Sequence, residues 1–113
     1  MTLKKPVMGL GLALAMALSL CQTAMALEWQ YCLAPSNADH KIYFSGAFAT
    51  SAGVGSADGS FEQALMQAHL SHDEVQCPRA DNENSILAML QAAVAYNQKV
   101  GRKVVYVRWE PAR

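Results

Sequence analysis

The chain has 113 residues, 52% of them hydrophobic, and nine Lys/Arg balance nine Asp/Glu for a formal net charge of zero. That length holds one small domain, and the lack of a basic stripe argues against nucleic acid as a partner. No acidic run is long enough to form a solvated tail.

The N-terminus carries export chemistry. Lys4 and Lys5 form a basic start, Val7 to Leu20 is an unbroken run of small and apolar residues, and Ala24-Met25-Ala26 supplies a small-x-small cleavage pattern. These features predict a signal peptide over residues 1–26, cleaved to leave one α+β domain over residues 27–113. The apolar run of about 14 residues is well short of the roughly 20 needed to cross hydrocarbon, so no stable membrane anchor is expected after cleavage. Leu20 is bulky where lipidation of Cys21 would need a small residue, which favours a soluble periplasmic or secreted product. Without residues 1–26, seven basic side chains face nine acidic ones.

Export permits a disulfide, and Cys32 and Cys77 allow only one pairing in the remaining chain. Closing a loop of about 45 residues stabilises the fold by roughly 4 kcal/mol in the chain-entropy picture. A redox-active or metal-binding pair is the competing reading, but neither cysteine stands in a Cys-x-x-Cys arrangement.

Glu28 to Leu33 alternates large apolar with polar or small residues, the pattern of a half-buried strand. Trp29, Tyr31 and Leu33 share one face, Gln30 and Cys32 the other. Ala34 to Asp39 is turn chemistry. His40 to Phe48 is a second strand, paired with the first in an antiparallel hairpin. Ala49 to Gly59 has no periodicity and reads as a mobile connector. Ser60 to Gln63 fits a capping box, which predicts a first helix from there to about His72 with Phe61, Leu65 and Ala68 inward. Glu74 to Cys77 is a short third strand that Pro78 ends. Asp81 to Ser85 clusters N-cap candidates and acids. A second helix follows over Ile86 to about Val100, with the stripe Ile86, Leu90, Ala93, Val94 and Asn97 inward and Gly101 as its left-handed cap. Lys103 to Glu110 is the strongest strand pattern in the chain.

The order β-β-α-β-α-β predicts a two-layer sandwich: one four-stranded mixed sheet with both helices on one face. A Cys32–Cys77 bond would make strands one and three near neighbours. The arrangement is similar to that of small sheet-and-helix modules of the bacterial envelope, such as SPOR-like peptidoglycan binders and small periplasmic inhibitors. Likeness at that level concerns fold and assigns no function.

Two sheet faces and one helix layer would leave strand aromatics exposed, and an exposed Trp/Tyr set is how small modules recognise peptides, glycans or protein surfaces. The expectation is therefore an exported binding module that meets a protein or cell-wall partner through its sheet face. Tyr43, Tyr106 and Arg108 are the first candidates, followed by Trp29 and Tyr31. The same residues also alternate as core faces do. A different class of function is metal handling. His69 and His72, spaced i, i+3 with Asp73 and Glu74 after them, could hold zinc or copper, with His40 and Asp39 completing a site. The bland alternative is a polar helix end, where the dipole favours histidine. A small hydrolytic enzyme stands third: no Ser, His and acid form a recognised motif, and no glycine loop fits a cofactor.

Overall fold

The structure, a computed structural model, describes residues 27–51 and 56–111. The expected signal peptide over residues 1–26 lies outside the described residues. In chain order the elements are β1 (Glu28–Gln30), β2 (Leu33–Ser36), β3 (Lys41–Phe44), β4 (Phe48–Thr50), α1 (Ser56–Gln67), β5 (Arg79–Ala80), α2 (Glu83–Lys99) and β6 (Lys103–Tyr106).

The strands form two three-stranded sheets in place of the single four-stranded sheet expected. One has the order β4-β1-β5 and is antiparallel throughout. The other has the order β2-β3-β6, with β2 and β3 antiparallel and β3 and β6 parallel. The hairpin is therefore present, but each of its arms is broken in two. Tyr31-Cys32 separates β1 from β2, and Ser45-Gly46-Ala47 separates β3 from β4. Three residues oppose two at this point, which interrupts the ladder and bends the strands as a bulge does.

Across the break, Ser45 N–H donates to the Cys32 carbonyl at 2.9 Å. Cys32 N–H in turn donates to Ser45 Oγ at 2.8 Å. The segment before β5 runs alongside the first arm, with Leu33 and Gln76 exchanging both backbone hydrogen bonds at 2.8 and 3.0 Å. Pro78 was expected to end a strand; the chain instead continues through it, its carbonyl accepting from Tyr31 N–H, and pairs again as β5.

The helices lie on opposite faces of the strands, which corrects the expected two-layer sandwich to three layers. Side chains alternate along a strand, and the two cores follow that alternation. Cys32, Ala34 and Tyr43 pack with Phe48 and with Ala57, Phe61 and Leu65 of α1. Tyr31, Ile42 and Phe44 pack with Ile86 of α2, flanked by Leu90, Ala93 and Val94. Neither Cys32 nor Tyr31 faces solvent, because each face of the strands carries a helix.

Local chemistry explains the helix ends. α1 begins at Ser56, four residues before the predicted cap, with Asp58 in its first turn where the helix dipole favours an acid. It ends at Gln67, earlier than expected, through a left-handed residue that is not glycine. His69 has φ 58°, its N–H donates to the Met66 carbonyl, and Leu70 N–H donates to that of Leu65. That pair of bonds is a Schellman closure, with Leu70 returning to the core. α2 starts at the Asn82 cap, whose Oδ1 accepts from Ser85 N–H at 2.8 Å. It ends on a second Schellman closure, with Gly101 at φ 90° and Arg102 N–H donating to the Asn97 carbonyl at 2.9 Å. Here the stripe and the glycine cap stand as the sequence predicts.

Candidate functional site

Burial divides the five aromatic and basic residues proposed for partner binding. Tyr31 and Tyr43 are only 3% and 4% exposed. Tyr31 sits against Phe44 with ring centroids 6.2 Å apart, and burial pushes its phenol pKa up. Tyr43 lies in the α1-side core beside Cys32. Trp29 is half-buried against the α2-side core. Tyr31 and Tyr43 are thus buried packing residues, a correction that follows from a helix on each face of the strands, and Trp29 is partly so. Tyr106 and Arg108 are different: Tyr106 is 65% exposed, and Arg108 is exposed as well.

Tyr106 stands at the edge of a sheet. β6 pairs with β3 on one side, and among the described residues no strand lies on the other. Lys103 N–H donates to the His40 carbonyl at 2.9 Å and Val107 N–H to that of Phe44 at 2.7 Å. By the two-residue alternation of a strand, the backbone groups of Val104 and Tyr106 point to the open side. The Tyr106 ring leans on Phe44 with centroids 6.5 Å apart. It forms one wall of a groove of about 390 Å³ shared with Leu90, Gln91, Val94, Ala95 and Gln98 of α2.

The groove lies between α2 and the edge strand β6. The N-terminal half of the helix covers β1 and β5 through Trp29 and Ala80, and its stripe then crosses toward β6 and Val104. Ile86 and Asn97 are buried, whereas Leu90, Ala93 and Val94 remain half-exposed. Asn97 is held by donating to the Ala93 carbonyl and accepting from Arg102, both at 2.8 Å. From Ser85 to Trp109, along α2 and β6, the charged side chains share one sign. No Asp or Glu occurs in that stretch, which contains Lys99, Arg102, Lys103 and Arg108. Arg102 is committed to Asn97 and Asn37; among the described residues the other three form no ion pair.

The histidines proposed for metal do not share a helix face, since α1 stops before both. His69 is the exposed left-handed cap. His72 lies in the following segment and turns back to α1, its side chain nearly buried. Its Nδ1–H donates to the Leu70 carbonyl at 2.7 Å, and Nε2 meets the Glu62 carboxylate. A carbonyl and a carboxylate both accept, so the ring is satisfied only with a proton on each nitrogen. Burial opposes that charge, but the Leu70 carbonyl, the Glu62 hydrogen bond and the charges of Glu62 and Asp73 outweigh it, raising the His72 pKa. Both ring nitrogens of His72 are thus engaged within the chain. Among the described residues no group of three His, Cys, Asp or Glu side chains converges to hold an ion. His40, at φ 55°, closes the β2–β3 turn, with Asp39 bonded to Ser36.

Cys32 and Cys77 are joined, with Cα atoms 4.0 Å apart. The bond ties β1–β2 to the segment before β5 on the α1 face. No helix among the described residues is long and apolar enough to cross a membrane. Comparison of the chain with protein-family models, curated proteins and solved structures gives no match.

Proposed function

We propose that this chain is an exported binding module of the periplasm or extracellular space, and that it engages a protein or cell-envelope partner through the open edge of its sheet. Export is supported by the Lys4-Lys5, apolar and Ala24-Met25-Ala26 pattern together with a disulfide, a bond that persists in oxidising compartments. The observation that carries the binding role is Tyr106. An aromatic ring 65% exposed, beside an unpaired strand edge and an apolar groove, is a poor use of surface unless something covers it. The contact surface is thus the edge rather than the sheet face, with Tyr106 as anchor and Arg108 beside it.

The test uses protein purified after expression of the full chain. Wild type and Tyr106→Ala are immobilised and mixed with an envelope extract, and retained proteins and glycan fragments are identified by mass spectrometry. The expected result is a defined species held by wild type and lost by the variant. Equal retention by both overturns the reading.

A further inference from the structure

Three features of the β6 edge identify the chemistry of its occupant, on the reading that this edge is a binding surface. The first is the backbone: Val104 and Tyr106 offer N–H and C=O groups in a row, which a second extended chain satisfies and a glycan or compact surface does not. The second is the groove against α2. Leu90 and Val94 are half-exposed and line the groove beside the open edge of β6. A strand laid beside β6 would place alternate side chains in the groove bounded by Tyr106, Ala95 and Gln98. The third is charge. Lys99 and Lys103 flank one end of the edge and Arg108 the other, and no acid interrupts them before Glu110.

We infer that the ligand of this edge is an extended peptide segment that adds as a strand beside β6, places alternate apolar side chains against Leu90, Val94 and Tyr106, and carries a carboxylate toward each end. Lys103 to Arg108 spans about 17 Å at the rise of a strand, so the two carboxylates lie about five residues apart and, that spacing being odd, on opposite faces of the added strand. Lys103 disfavours uncharged or basic strands at the same edge, as edge lysines commonly do. The charges set partner choice and encounter rate, and the groove with the backbone ladder holds the complex. Added salt weakens the charge contribution, since these cations are exposed.

The probe is a fluorescently labelled peptide, Glu-Val-Thr-Leu-Thr-Glu, with Val and Leu on one face and a carboxylate at each end, the two about five residues apart. Two controls replace both Glu by Lys or N-methylate the central amides. Anisotropy titration is run with wild type, Tyr106→Ala and a Lys103→Glu/Arg108→Glu pair, all on protein from the full chain. Amide shifts of labelled wild type locate the contact. The expected result is that the Glu peptide binds wild type about tenfold or more tighter than either control. Its shifts fall in Leu90–Gln98 and Val104–Arg108, and the charge-reversed variant prefers the Lys peptide. Equal binding of the Glu and N-methylated peptides, a preference for Lys in wild type, shifts elsewhere, or no binding up to about 1 mM overturns the inference. So does a Tyr106-dependent dimer in sedimentation, which would assign the edge to a second copy. If the peptide fails while envelope capture still depends on Tyr106, the edge remains a binding surface with another ligand. If both fail, the binding role itself falls.

Discussion

Ser45 holds Cys32 twice, once with its backbone and once with its side chain. Its N–H donates to the Cys32 carbonyl at 2.9 Å, and its Oγ accepts from Cys32 N–H at 2.8 Å. The hydroxyl proton goes to the Gly46 carbonyl, also at 2.9 Å. Both residues are fully buried, and they sit where the hairpin arms break. A side chain therefore replaces the backbone acceptor that the bulge removes from the ladder, beside the half of the disulfide that anchors the first arm.

Ser45→Ala leaves the buried Cys32 N–H without its acceptor. An unsatisfied buried donor costs about 1–3 kcal/mol, so the variant should lose that much in a chemical melt under oxidising conditions. A change below about 0.5 kcal/mol, within the range of neutral surface substitutions, would show that the hydroxyl does not close the ladder.

Removing the disulfide acts mainly on the unfolded chain. Cys32→Ala should destabilise the domain by about 2–5 kcal/mol, and reductant should lower the melting temperature of wild type but not of the variant. A variant that melts with oxidised wild type contradicts the bond between Cys32 and Cys77.

The His72–Glu62 contact makes stability depend on pH with a defined sign. The native His72 pKa is raised above an unfolded value of about 6.5. The native state therefore holds the proton more tightly, and this stabilisation is fully present below about pH 6.5 and lost as pH rises through the native value. Melting of wild type and His72→Gln should differ most in mildly acid buffer and converge as the solution becomes alkaline. A difference that is constant or grows with pH contradicts the doubly donating imidazolium.

Two helix ends use the left-handed region, one with the favoured residue and one without. An L side chain there costs roughly 1–2 kcal/mol, partly offset in glycine by its greater unfolded freedom. His69→Gly should accordingly stabilise the domain by about 0.5–1 kcal/mol. Gly101→Ala, where an added Cβ meets nothing within 4 Å, should cost about 1 kcal/mol from the backbone alone. Thermal melts of the two variants should move in opposite directions; a loss of stability in His69→Gly would point to side-chain contacts at that turn.

Much of the chain was legible locally. The α2 stripe, its glycine cap, the hairpin and the cysteine pairing follow from short-range patterns: apolar spacing, turn residues and a single possible partner. His69 was harder, because a histidine reads as helix continuation or ligand unless its φ is known. The start of α1 was missed for a similar reason: Ser56 to Gly59 lacks the apolar periodicity that marks a helix. Of the binding candidates, Tyr106 and Arg108 could be named from the last strand, but Tyr31 and Tyr43 could not be told from them. Alternation says which residues share a face and not whether that face is covered. The acid-free run from Ser85 to Trp109 was the one readable sign of the groove.

The sequence by itself determined the hairpin, α2 with its glycine cap and the disulfide partners, since each depends on residues close in the chain or on a choice of one. Only the tertiary structure decided that α1 and α2 cover opposite faces, that Ser45 spans the break in the hairpin, and that β6 is left at an edge beside a groove against α2. Those outcomes depend on long-range pairing, in which β6 joins β3 in parallel. No local preference specifies which strand a distant segment will choose as its neighbour.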